Sequence, residues 1–307
     1  MIVSLGEALV DLIHAPGEGE PRAQNGGSPY NVAIALARLG HEAGFLCPLS
    51  SDAYGRQLAR GLEEAGVRIC VTPPVSAPTA IAEVETDSTG HPRYTFHREA
   101  TADRSLQDTR PADWLPKELK ALHFGSLALA QGDDWPAWRE AVVSARECGA
   151  LIAFDPNLRT ALIDDLPRYR LRVEEAVELA HLIKASDEDM ASLAPGVAPE
   201  RHVQGWLNGA RTVVLTRGPE GAELWGPHGQ HARAGSPIQG RVVDTVGAGD
   251  TFQAALISRL LQEDLHKAGL RDGAAKQALE YACRAAALNC ARAGCDPPTR
   301  AEVEQAL

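Results

Sequence analysis

Val242-Val243-Asp244-Thr245-Val246-Gly247-Ala248-Gly249-Asp250-Thr251-Phe252-Gln253-Ala254-Ala255-Leu256-Ile257 runs from a short apolar pair, through a glycine-rich turn, into an apolar helical pattern. Val242-Val243 is a short strand signal, and the residues from Thr251 start a helix. Between them, Gly247, Ala248 and Gly249 let backbone approach a ligand closely and permit left-handed dihedrals. The N–H groups of a first helical turn lack intrahelical partners. Such a turn is an anion cradle, strengthened by the helix dipole. Asp250 closes it. One reading of that Asp is a helix N-cap. The other is a base that receives a proton from a substrate hydroxyl as a phosphoryl group arrives. The helix N-terminus is expected to lower its pKa. A weak base suits a loose phosphoryl-transfer transition state, which demands little early deprotonation. The sequence has no Walker A motif and no protein-kinase glycine-rich loop, so a phosphoryl-transfer site here belongs to another family.

Outward from this turn, short apolar runs alternate with helical patterns. Strands are expected at 2–5, 44–49, 121–124, 150–154, 181–185 and 212–216, with helices between them, for example over 135–147 and 171–180. This alternation predicts an α/β fold with a doubly wound, mostly parallel sheet flanked by helices. The strands read as continuous apolar runs, as they do when both faces are covered. Ser28 is expected as an N-cap with Pro29 at the first helical position and Gly40 past the end. Asp52 and Gly66 bracket a second helix. The chain after Thr251 is Ala- and Leu-rich and reads as mostly helical. From Pro78 to Arg98 the apolar residues alternate instead (Ile81, Val84, Tyr94, Phe96), and Ser88-Thr89-Gly90 is a turn signal. This predicts a β-hairpin with one solvated face. With the segment near Leu9 to Ile13 it forms a small accessory sheet over a cleft.

The 307 residues suffice for one large α/β domain. Net charge is −11, with no long basic run, which argues against nucleic acid as a partner. No stretch approaches the roughly 18 apolar residues of a membrane span. The N-terminus carries Glu7 and Asp11 inside its apolar stretch and reads as a mature strand, not a signal peptide. The six cysteines form no C-x-x-C and read as free thiols in a reducing cytoplasm.

Asp244-Thr245-Val246-Gly247-Ala248-Gly249-Asp250 resembles the second signature of the PfkB/ribokinase family of carbohydrate kinases. Gly26-Gly27-Ser28-Pro29-Tyr30-Asn31-Val32-Ala33 resembles the first, and Leu36-Ala37-Arg38-Leu39-Gly40 continues it. The resemblance runs from Gly6 to Pro298. It implies a single ribokinase-like domain over 1–307, with a small β lid from about 9–25 and 78–103. It also implies an ATP-dependent sugar kinase using Mg2+, with Asp250 as base and Gly247, Ala248 and Gly249 as cradle.

Polar clusters fall where ligands of open α/β sheets bind, past the carboxyl ends of strands. Glu7 and Asp11 follow the first strand. Asp155-Pro156-Asn157-Leu158-Arg159, Lys184-Ala185-Ser186-Asp187-Glu188-Asp189 and Thr216-Arg217-Gly218 follow others. Asp11, Gly26, Gly27 and Asn31 match family positions that hold sugar hydroxyls, and a carboxylate and an amide suit vicinal hydroxyls. Arg159 is implied to stabilise phosphate charge or to meet a substrate carboxylate; a surface salt bridge is the competing account. Phe96 and Arg98 lie in a lid-like stretch and are expected to contact substrate, against an exposed charge on a strand for Arg98. Lys184, Ser186 and Asp189 resemble an N-x-x-E motif with Ser and Asp in place of Asn and Glu; Asp189 is implied to reach Mg2+ through water. Thr216, Gly218 and Gly221 resemble the nucleotide-side loop, although G-x-x-G is also an ordinary hairpin. Asn289 is placed at the adenine pocket, against a plain helical Asn. Asp244 is implied to hold a monovalent cation, K+.

Residues 94–103, 155–159 and 289–298 together resemble bacterial fructokinases, which makes D-fructose the expected sugar. The rivals are 2-keto-3-deoxygluconate kinase, another sugar or nucleoside kinase, and a non-catalytic sugar sensor. The sensor has no use for Asp250. A nicotinamide dehydrogenase lacks support, since no G-x-G-x-x-G follows the first strand. A homodimer through the lid is expected from the alternation at 78–98.

Overall fold

The computed structural model describes residues 1–14, 19–86, 92–106, 109–132, 134–207, 211–238, 241–262 and 272–306. Its strands are β1 (Ile2–Leu5), β2 (Leu9–His14), β3 (Arg22–Gly26), β4 (Ala43–Leu46), β5 (Arg68–Ile69), β6 (Ala80–Thr86), β7 (Pro92–His97), β8 (Ala121–Gly125), β9 (Leu151–Asp155), β10 (Leu182–Ser186), β11 (Thr212–Thr216), β12 (Ala222–Trp225) and β13 (His231–Ala234). The helices are α1 (Ser28–Arg38), α2 (Ala53–Glu64), α3 (Asp134–Glu147), α4 (Leu166–Leu179), α5 (Asp187–Leu193), α6 (Pro199–Trp206), α7 (Ala248–Gln262), α8 (Asp272–Cys290) and α9 (Arg300–Gln305).

The main sheet has the order β13-β12-β11-β10-β9-β8-β1-β4-β5. From β5 to β11 every pairing is parallel; β12 and β13 add an antiparallel edge. The apolar runs explain this. Every residue of β1, β4, β8 and β9 is buried, as a sheet covered on both faces requires. Phe124 on β8 stacks on Phe154 of β9 and on Trp135 of α3, with centroids 5.0 and 5.8 Å apart. The chain runs from β1 outward to β4 and β5, then returns to β8 on the other side of β1. That reversal opens a crevice at the strands' carboxyl ends.

A second sheet, β3-β2-β6-β7, is built from the accessory segments. Leu9, Ala80 and Ala82 of its inner face join Leu127, Ala130 and Leu162 in a small cluster, with Phe96 against it. The outer face carries Glu83, Thr95 and His97, with a Glu83–His97 contact of 3.5 Å. The apolar side expected to serve a dimer thus faces inward. The Ser88-Thr89-Gly90 turn lies outside the described residues.

Helix signals were legible with local corrections. Asp52 caps α2, accepting from the N–H of Gly55 at 2.7 Å, and its carboxylate also takes the N–H and hydroxyl of Thr79 just before β6. In α1 the N-cap is Gly27 and not Ser28, whose hydroxyl has another partner. The helix expected from 171 starts earlier, at Leu166, behind an Asp165 cap. Val242-Val243 forms no strand. The Val243 N–H bonds to the Cys290 carbonyl at 2.8 Å instead, and both side chains stay exposed.

Candidate active site

Two helix N-termini meet at the crevice, because α1 and α7 pack side by side. Asp250, in the first turn of α7, is 7% exposed. Its Oδ1 accepts from the Ser28 hydroxyl at 2.6 Å, and its Oδ2 from the Asn31 amide at 2.8 Å. Burial raises the pKa of Asp250; the bonds from Ser28 and Asn31 and the charges of Lys184 and Arg159 oppose it. This reverses the expected downward shift: desolvation outweighs the helix terminus. Asp250 is therefore a stronger base than its place on α7 alone implies.

The turn ahead of it is shaped by its neighbours. Gly247 has φ 74°, and a Cβ there would collide with Cys295. A Cβ on Gly249 would lie 3.2 Å from Lys184 Nζ, so an ammonium stands beside the cradle amides. Lys184 is itself buried and donates to Asp155 Oδ2 at 2.9 Å. Asp155 Oδ1 is buried without a protein partner, and burial raises that carboxyl to about 6. Cradle amides, an ammonium and an orphaned carboxylate oxygen are the donor set that a phosphate with a hydrated divalent cation needs.

The opposite side of the crevice centres on Asp11 and Arg159. Asp11 on β2 has its pKa raised to about 6 by burial, with Arg159 opposing. Gly26 gives it room, since a Cβ there would fall 2.5 Å from Asp11 Oδ2. Arg159 is exposed and donates to Asn157 Oδ1 at 2.8 Å. Asn157 itself has φ 38°, a left-handed backbone that Asn tolerates. Tyr94, from the second sheet, feels the charges of Asp11 and Arg159 and closes this side. Asp11, Gly26, Gly27, Asn31, Arg159, Lys184 and residues 247–250 thus gather at one end of the main sheet.

Other expected site residues have different surroundings. Arg98 is 3% exposed; its Nε donates to Asp103 at 2.6 Å, and Asp134 lies 3.8 Å from Nη2. It is committed to buried carboxylates, neither an exposed charge nor a free arm for a sugar. Phe96, by contrast, lies on the inner face of the second sheet, in one cross-strand row with Ala82 and Asp11, and stacks on Tyr94. Ser186 and Asp189 form a capping box on α5, at 2.9 and 3.0 Å, and Asp189 Oδ1 takes the Leu158 N–H at 2.8 Å. Both Asp189 oxygens therefore hold backbone, and Asp155 is the carboxylate with an oxygen to spare. Gly218 and Gly221 sit in the β11–β12 turn, where Gly221 makes way for the Ala234 carbonyl; the Thr216 hydroxyl donates to the Ala185 carbonyl at 3.4 Å. Asn289 is fully buried, with both ends of its amide bonded internally, so it lines no adenine pocket.

Asp244, the expected ligand of a monovalent cation, stands between the cradle turn and the C-terminal segment. Asp244 Oδ1 accepts from the Val246 N–H at 3.0 Å and Oδ2 from the Gly294 N–H at 2.8 Å. The neighbouring Val246 carbonyl is taken by Asn289 at 2.8 Å.

Sequence reasoning missed Ser28, which it spent on a cap. It placed Glu7 and Asp155 on the right edge without a role. Glu7 accepts from the N–H groups of Ser28 and Leu127, each at 3.2 Å. Burial lifts its pKa to about 7 against the pull of Arg98. A carboxylate inside an apolar N-terminal run was the available signal.

The architecture and this crevice define a sugar-kinase-like α/β protein, and the comparisons agree. Residues 1–302 match the pfkB family carbohydrate kinase description, and the chain belongs to that family. It is 31% identical to a probable fructokinase-4 of Arabidopsis thaliana, covering 100% of this chain and 96% of that one. It is 32% identical to a fructokinase of Rhizobium leguminosarum bv. trifolii, over 86% of this chain and 81% of that one. Among solved structures, a fructokinase double mutant from Vibrio cholerae O395, in a fructose, ADP and potassium ion bound form, superposes with a TM-score of 0.84. It is 28% identical and covers 99% of this chain and 97% of that one. No helix among the described residues is long and apolar enough to cross a membrane.

Proposed function

We propose that this carbohydrate kinase transfers the γ-phosphoryl group of ATP to D-fructose, giving fructose 6-phosphate and ADP. The observation that carries the reading is Asp250, clamped by Ser28 and Asn31 beside the cradle and Lys184. The sugar lies between Asp11, Gly26, Gly27, Asn31 and Asp250. Asp250 takes the proton from the reacting hydroxyl. The amides of residues 247–249 and Lys184 stabilise charge on the phosphoryl oxygens. Arg159 stands at the rim between the two. Exposed Val242, Val243 and Val246 offer an apolar wall for the nucleotide base. Mg2+ carried with the nucleotide would be held through water by Asp155, whose Oδ1 has no protein partner, neutralising phosphate charge.

The second sheet acts as a lid that excludes water from the transfer. A homodimer through this sheet and a cytoplasmic location complete the proposal. Support for the first is that, among the described residues, β3 and β7 are the edge strands of this sheet; for the second, free thiols at all six cysteines. Light scattering across concentrations tests the dimer, and a constant monomer mass overturns it. The substrate is tested by incubating the enzyme with ATP and, separately, fructose, 2-keto-3-deoxygluconate, ribose and nucleosides. Phosphorylation of fructose with the highest kcat/KM is expected. Turnover confined to the sugar acid overturns the fructose assignment and gives Arg159 a carboxylate partner.

A further inference from the structure

Ser28 reaches Asp250 with its hydroxyl, yet its own place is fixed by another residue. Helix α1 opens at Gly27, which has no side chain to cap it, and no acidic residue stands in its first turn. Glu7, in the connection from β1 to β2, supplies the missing acceptor. It is 2% exposed. Its Oε1 takes the Ser28 N–H and its Oε2 the Leu127 N–H, each at 3.2 Å. A carboxylate at this end of α1 also meets the positive end of the helix dipole. Gly27 brings the two segments together, since a Cβ there would fall 2.6 Å from the Glu7 carbonyl oxygen. Leu127, the other partner, follows Ser126, whose φ of 50° is left-handed and needs outside support. The Leu127 side chain shares a small apolar cluster with Leu9, Ala80 and Ala82 of the second sheet. Arg98, just past the end of β7, acts on Glu7 with its positive charge and is itself bonded to Asp103.

We propose that Glu7 is a positioning residue for phosphoryl transfer: it sets the Ser28 hydroxyl against Asp250 and locks that setting to the turn on which the second sheet rests. The inference rests on the kinase reading for its effect on rate, and on the hydrogen bonds alone for its effect on structure. The N–H of Ser28 goes to Glu7 and its hydroxyl to Asp250. A shift of Ser28 therefore reaches the base directly, and the influence of Glu7 on the base passes through Ser28. A neutral amide in place of the carboxylate accepts one N–H and turns its own NH2 group toward the other donor. It also loses the charge facing Arg98. The start of α1 then loosens while Leu127 keeps its apolar contacts, so the base loses its aim before the fold is lost.

The test measures Glu7→Gln alone and combined with Ser28→Ala, at about pH 8, where the wild-type Glu7 carboxyl, raised to about 7 by burial, is ionised. Glu7→Gln should lower kcat about tenfold and leave the KM for ATP within about twofold. In the Ser28→Ala background the same change should cost about twofold or less, because the hydroxyl it positions is already gone. A role in packing alone would cost the same factor in both backgrounds, and that result overturns the proposal. Hydrogen exchange read by mass spectrometry needs no turnover. In Glu7→Gln, protection should fall over residues 26–33, over 125–130 and, across the contact with Asp250, over 248–255, while 212–225 stays as protected as in the wild type. Unchanged protection over 248–255, or an even loss along the whole chain, overturns the link to the base. Glu7→Asp keeps the charge facing Arg98 but is one methylene too short to span both N–H groups, and it serves where the amide variant does not fold. Wild-type kcat in Glu7→Asp overturns the proposal. Absence of wild-type turnover with every sugar would defeat the kinase reading alone, since the exchange comparison still reports on the tie.

Discussion

Ser28 and Asp250 are 222 residues apart in the chain and joined by a hydrogen bond of 2.6 Å. One stands in the first turn of α1, the other in the first turn of α7. Asn31, one turn further along α1, holds the second carboxylate oxygen. The Asp250 carboxylate is therefore oriented from a neighbouring helix rather than from its own. Lone pairs remain on both oxygens for a substrate hydroxyl.

Asp250→Asn keeps the size of the side chain and removes the base. The expected loss in kcat is about a hundred- to ten-thousandfold, with sugar binding by calorimetry retained. Turnover near the wild-type level would show that another group takes the proton.

Ser28→Ala removes one donor to Asp250 without touching the cradle. A donor favours the ionised carboxylate, so its loss should move the acid limb of the kcat profile to higher pH. The drop in kcat should be about tenfold, close to the value of one charge-assisted hydrogen bond. An unshifted acid limb would leave Ser28 with a packing role only.

Acidity should move activity and stability in opposite directions. Burial raises Glu7 to about 7 and Asp11 and Asp155 to about 6, and it raises Asp250 as well. The folded chain thus holds protons on these groups that the unfolded chain has released. Unfolding free energy contributed by them is greatest below the unfolded values of 4.5 and 3.8, and it declines as pH rises through about 6 to 7. Activity needs the carboxylates ionised, so kcat/KM for the sugar should fall below about pH 6. Paired melting and rate profiles check both slopes. Glu7→Gln should flatten the stability slope near neutrality.

Lys184 and Asp155 form a buried pair 2.9 Å apart at the edge of the cradle. Lys184→Met should destabilise the fold by about 3–5 kcal/mol, because it strands a buried carboxylate. The double variant Lys184→Met/Asp155→Leu should recover much of that stability in denaturant titrations. Neither variant should recover the KM for ATP or the turnover, since the ammonium beside Gly249 is gone in both.

The parallel sheet was legible because continuous apolar runs such as Ala121–Gly125 have no other stable setting than between two layers of helices. The cradle was legible because glycine and Asp before an apolar helix form a local pattern. Ser28 was not, since its N-cap preference is local and its partner lies on α7. Asn289 was misplaced for the same reason. A buried amide and an exposed one look alike in a helix until the segment containing Asp296 folds over it. Arg98 shows the limit from the other side: position in a hairpin predicts exposure, yet Asp103 and Asp134 draw the guanidinium inward. The pKa of Asp250 needed burial, which no short stretch of sequence contains.

The second sheet is assembled from two distant pieces of chain, joined by the parallel pairing of β2 and β6. β2 and β3 carry Asp11 and Gly26 and lead straight into Ser28 and Asn31. β6 and β7 bring Tyr94 and Phe96 from elsewhere. The two pieces therefore meet only in the folded sheet. Exchanging the β6–β7 hairpin between relatives would change the proposed cover of the sugar while the hydrogen-bonded trio of Ser28, Asn31 and Asp250 stays intact, so that one scaffold could vary its substrate without altering the group proposed to take the proton.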